Sequence, residues 1–160
     1  MKMTSRFLLS LIASALCIAG LQINANASSG FVAPADRLSI AEPSYSGQWK
    51  APDLTVEYKY SRDQGQINLS GKIRFAYFWM GYTELQDFRL SAIFLDENGK
   101  VLAWDGLVTN RGSFDPIPFH KTLKLPSNAV SMAWSYQGVG GGGDNGPTSF
   151  WSYPIHGRFF

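Results

Sequence analysis

At 160 residues, with 14 Lys and Arg against 12 Asp and Glu, the chain is sized for one domain around one core and carries a formal net charge of only +2. Both surplus charges, Lys2 and Arg6, fall within the first 27 residues, so the remainder is balanced and offers no electrostatic footprint for nucleic acid. The single cysteine, Cys17, lies in the same segment, which excludes disulfides, Cys-ligated zinc and thiol catalysis from everything after it.

In chain order, Lys2 and Arg6 form a basic start, residues 7–21 an apolar run, and Ala25-Asn26-Ala27 a small-x-small triplet, the layout of a secretory signal peptide cleaved after Ala27. The run is interrupted by Ser10, Ser14 and Gly20 and falls short of the ~20 apolar residues of a spanning helix. Acylation at Cys17 is the competing outcome, opposed by Leu16 where lipoprotein signals carry a small residue. The expectation is a signal peptide at 1–27, a flexible N-terminal arm at 28–47 and a β-sandwich domain at 48–160. Such a chain is exported, periplasmic or extracellular, and membrane association is not expected once the signal is removed.

Residues 28–46 are small, polar or proline without periodicity, which predicts the arm. Leu54, Val56, Tyr58 and Tyr60 then alternate with Thr55, Glu57 and Lys59, the period of a half-buried strand. Arg62-Asp63-Gln64-Gly65 supplies a turn, and Ile67, Leu69, Ile73 and Phe75 continue on a second strand, giving a hairpin. A helical turn is expected near residues 82–86. Residues 88–95 are more continuously apolar, as in a strand covered on both faces, and end at Asp96-Glu97-Asn98-Gly99, a strong turn signal. Residues 100–104 make the return strand, and 119–125, 129–137 and 149–155 read as three more. About seven strands joined by turns predict an all-β chain forming a single antiparallel β-sandwich.

The runs Leu69-Ser70-Gly71-Lys72-Ile73 and Phe88-Arg89-Leu90-Ser91-Ala92-Ile93-Phe94-Leu95-Asp96-Glu97-Asn98-Gly99-Lys100-Val101-Leu102 resemble the centre of small FxLYD-type domains of bacterial envelope proteins, over about 35 residues. The resemblance implies an immunoglobulin-like sandwich in a bacterial envelope and brings no catalytic residues. The chain departs from that pattern in the glycine-rich stretch 138–147 before the last strand.

That stretch satisfies G-x-G-x-x-G at Gly138, Gly140 and Gly143, but no helix follows to receive a phosphate, so it predicts a flexible loop. The two histidines, His120 and His156, fall on different predicted strands, and no metal or cofactor site is expected. No nucleophile elbow, Ser-x-x-Lys or zinc-protease motif occurs, so no catalytic residue is assigned. The run after the second strand places Tyr77, Phe78, Trp79, Met80 and Tyr82 together, and these five are the candidate contact surface. Trp49, Trp104, Trp134 and Trp151 are core or contact residues by sequence alone. The leading reading is an exported non-catalytic β-sandwich that binds an envelope protein or assists assembly. The first alternative is a glycan-binding or glycan-acting module, signalled by an exposed row of Trp and Tyr. The second is a small outer-membrane β-barrel, prompted by Phe159-Phe160 at the end.

Overall fold

A computed structural model of the chain describes residues 30–142 and 146–157. The expected signal peptide and the terminal Phe159-Phe160 pair lie outside the described residues. Among the latter run strands β1 (Phe31–Val32), β2 (Leu38–Ser39), β3 (Ser44–Lys50), β4 (Leu54–Asp63), β5 (Gln66–Phe75), β6 (Glu84–Leu95), β7 (Val101–Gly112), β8 (Ile117–Lys124), β9 (Ser131–Gly141), β10 (Thr148–Ser152) and β11 (Ile155–His156). One sheet has the order β3-β4-β5-β8 and the other β10-β9-β6-β7, with β2 also on β9, and β1 and β11 form a separate two-stranded sheet. The strand pairs are antiparallel, and the molecule is an all-β sandwich. Neither large sheet closes on itself, which corrects the barrel alternative: β3, β8, β7 and β10 remain sheet edges.

The β4–β5 hairpin follows from its alternation. Leu54, Val56, Tyr58, Tyr60, Ile67, Leu69, Ile73 and Phe75 are buried, while Glu57 and Arg74 pair at 2.9 Å on the solvent side. Its loop has two residues, Gln64 at φ +45° and Gly65 at φ +76°, a pair of left-handed conformations that matches the twist of the flanking strands. Across the interior, Trp134 of β9 meets Tyr58 at 5.3 Å and Phe119 of β8 at 6.2 Å between ring centroids, joining the two sheets. Burial raises the Tyr58 phenol to about 12, with the neighbouring Tyr45 and Tyr60 adding to it.

The continuous apolarity of residues 88–95 has two causes. Phe88, Leu90, Ala92 and Phe94 belong to the main core, whereas Ile93 and Leu95 point the other way into a second small cluster with Val32, Val101, Ala133 and Ile155. The β1–β11 pair therefore covers one end of the outer face of the β10-β9-β6-β7 sheet.

Three expectations are corrected. Residues 30–47 are not an arm: Val32 and Ile40 are fully buried, and β1, β2 and the start of β3 lie there. Arg37 pins this segment by donating to the carbonyl of Val32 at 2.8 Å and, through another nitrogen, to that of Asn98 at 2.8 Å. After a first 3₁₀ turn, η1, at Pro34–Asp36, the expected helical turn is a second 3₁₀ helix, η2, at Tyr77–Gly81, followed by strand from Glu84. The glycine stretch begins as strand rather than loop, since β9 runs to Gly141. A Cβ on Gly138 would stand 2.3 Å from the Phe150 ring, and one on Gly140 would stand 3.0 Å from Trp79, so these glycines make room for rings.

Candidate functional site

The five residues expected as a contact surface separate. In η2 the side chains at i and i+3 eclipse, and the phase turns Trp79 and Tyr82 toward the sandwich. Trp79 is 2 % exposed, lies parallel to Phe114 at 5.7 Å and packs on Phe150 at 4.4 Å. Tyr82 is half-buried, with its hydroxyl 2.9 Å from that of Thr148. Tyr77, Phe78 and Met80 remain outside, with Tyr77 at 90 % exposure. Trp79 is thus a core anchor and is withdrawn from the contact surface, because the rings of Phe78, Tyr82, Phe114 and Phe150 pack around it and leave it almost no exposure.

A different set of side chains converges on the outer face of the β10-β9-β6-β7 sheet. Alternation does the placing: with Met132, Trp134 and Tyr136 turned inward on β9, Ser135 and Gln137 must turn out. Register then aligns Trp151 of β10, Gln137 of β9 and Arg89 of β6 in one row, and Ser135 with Ser91 in the next. Trp104 of β7 stands opposite Ile93, one row further on. Tyr153, just beyond β10, reaches across to Trp104, with 5.3 Å between ring centroids.

These residues line a groove of about 530 Å³, together with Tyr136. Its floor is polar, from Arg89, Ser91, Ser135 and Gln137. Trp151 walls one end and the Trp104–Tyr153 pair the other, behind which sits the β1–β11 cover. Trp151 is 69 % exposed and Trp104 45 % exposed. Four strands at ~4.8 Å spacing put the two edge strands about 14 Å apart, and the volume lies within the range of small-molecule sites. Gly106, opposite Ser91 on β7, has nothing within 4 Å of where a Cβ would be, so the groove stays open toward that edge. The Ser135 hydroxyl, on a residue only 5 % exposed, donates to the carbonyl of Ser152 at 3.1 Å beneath the groove.

The histidines and several acidic residues that could carry chemistry are dispersed. His120 is on β8 in one sheet, while His156 is on β11 beside Phe31, and Asp115 accepts from the Ser113 hydroxyl at 2.7 Å in the loop before β8. Glu57 and Asp105 lie in different sheets. Among the described residues there is no group of three or more His, Cys, Asp or Glu suited to a metal ion.

Sequence reasoning singled out Trp104 and Trp151 only as ambiguous tryptophans and left out Arg89, Ser91, Ser135, Gln137 and Tyr153. The available signal was the β9 alternation, which fixes the outward residues once Trp134 and Tyr136 are taken as core. Fold and face together define a class, an antiparallel β-sandwich with an aromatic-walled groove on the outside of one sheet. Comparison with protein-family models, curated proteins and solved structures finds no significant match to this chain.

Proposed function

We propose that this chain is an exported, non-catalytic binding β-sandwich of the bacterial cell envelope, and that the groove takes a carbohydrate. The observation that carries the reading is the pairing of two solvent-facing indoles with a polar floor in one groove on the outer sheet face. A pyranose has the matching anatomy: faces of C–H bonds that stack on aromatic rings, and a rim of hydroxyls that both donate and accept. Trp151 and Trp104 supply the faces, and Ser91 and Gln137 supply hydrogen-bond partners of both kinds. Among the described residues, the lining holds no pair of carboxylates to protonate and displace a glycosidic bond, which favours binding over hydrolysis.

Calorimetric titration with short neutral and acidic oligosaccharides tests this. Binding to the native protein is expected, and Trp151→Ala weakens it about tenfold, or ~1.4 kcal/mol, without moving the thermal midpoint because the ring is mostly exposed. Absence of binding, or a variant that binds as well as the parent, contradicts the reading. Export is tested separately by the intact mass of the native protein from the extracytoplasmic fraction. A chain beginning at Ser28 is expected, and retention of residues 1–27 contradicts it.

A second reading keeps the protein partner. Tyr77, Phe78 and Met80 form an exposed apolar tip on η2, and rings there give contact area at small entropic cost.

A further inference from the structure

We infer that the carbohydrate of this groove is anionic, a pyranose bearing a carboxylate or sulfate, and that Arg89 is the residue that reads its charge. The inference rests on the carbohydrate reading and adds the charge class of the sugar.

Of the described residues that line the groove, Arg89 alone carries a charge. It sits on β6, the strand between β9 and β7, in the row of Gln137 and Trp151. A sugar stacked on Trp151 thus presents its substituents to the Gln137 amide and then to the guanidinium.

The guanidinium is only partly engaged by the protein. Its Nε stands 3.5 Å from Asp87, which is long for a hydrogen bond, and Arg111 approaches the other oxygen of the same carboxylate at 3.7 Å. That oxygen is buried and lacks a hydrogen-bond partner among the described residues. One carboxylate facing two guanidiniums leaves one positive charge in excess beside the groove. A planar guanidinium fork matches a carboxylate or sulfate edge, and such charge-assisted bonds are roughly twice as strong as neutral ones. A neutral sugar would gain only an ordinary hydrogen bond from Arg89. Because the Arg89 side chain is 57 % exposed, the electrostatic share is screened by salt.

The test is a titration of the protein and its Arg89→Gln and Arg89→Lys variants with one short β-linked gluco-oligosaccharide, its uronate counterpart and its sulfate ester, at low and at raised salt. One of the acidic sugars is expected to bind at least about tenfold tighter than the neutral one, with the advantage shrinking in salt. The better of the two identifies the anionic group. Arg89→Gln brings the acidic affinity down to the neutral one, which itself loses no more than one ordinary hydrogen bond, and Arg89→Lys keeps a smaller, salt-sensitive part of the advantage because the charge survives without the fork. Equal affinity for neutral and acidic sugars, or an acidic preference that persists in Arg89→Gln, overturns the inference and leaves the carbohydrate reading standing. Failure of all three sugars to bind the native protein overturns both.

Discussion

Along Tyr77-Phe78-Trp79-Met80, neighbours of similar hydrophobicity meet opposite fates, because a three-residue turn sends only one of them to the core. Truncating Trp79 to Ala removes a ring held by Phe114 and Phe150 and is expected to lower the unfolding free energy by about 3–5 kcal/mol. Its indole N–H has no hydrogen-bond partner among the described residues, which offsets part of what the buried ring contributes. Tyr77→Ala, at the most exposed position of the turn, should stay within about 0.5 kcal/mol of the parent. Urea unfolding of both variants checks the pair, and similar losses in the two would contradict the assignment of inward and outward residues. The aromatic run itself was plain in the sequence. Its division was not, since the phase of a 3₁₀ turn depends on where β5 ends and on the rings of Phe114 and Phe150 that wait for it. Gly138 and Gly140 show the converse. Their richness read as loop chemistry, whereas the structure uses their missing side chains to seat Phe150 and Trp79 against β9.

At the scale of elements, β4 and β5 were legible because one face of each meets water and the other the core, so alternation is clean. The turn at residues 96–99 was legible for a local reason: the Asp96 carboxylate accepts from the backbone N–H of Asn98 and of Lys100, each at 2.9 Å, and Gly99 takes φ +83°. The segment before β3 was not legible. Strands of two residues carry no periodicity, and what holds them is a long-range bond set centred on Arg37, some sixty residues from its partners on that turn. Gly99 matters there as well, since a Cβ on it would collide with the Arg37 guanidinium. Arg37→Ala is therefore expected to cost about 1–3 kcal/mol and to raise amide exchange in β1 ahead of the main core. Hydrogen exchange of the variant reads this directly. An exchange pattern identical to that of the parent would show that strand pairing and the burial of Val32 and Ile40 hold the segment without Arg37.

For the whole molecule, the sandwich followed from counting alternating segments and turns, but the groove is a product of register. Trp151, Gln137 and Arg89 are far apart in sequence and share a row only because β10, β9 and β6 are hydrogen-bonded side by side; Trp104 and Tyr153 close the other end from an edge strand and a loop. The two-stranded β1–β11 cover decides where this face is closed and where it stays open, which no single segment encodes. The same arrangement sorts the five tryptophans: Trp79 and Trp134 are interior, Trp49 packs at the edge of the core against Tyr136, and Trp104 and Trp151 face solvent in the groove. A carbohydrate bound in this groove, as proposed, would touch two of these indoles and leave the interior pair alone. The most direct measurement is an NMR titration that follows the five indole N–H signals while a short uronate oligosaccharide is added. Trp104 and Trp151 are expected to shift with a common saturation curve while Trp79 and Trp134 stay in place. Unmoved groove indoles, or shifts confined to the backbone of η2, would contradict the proposal.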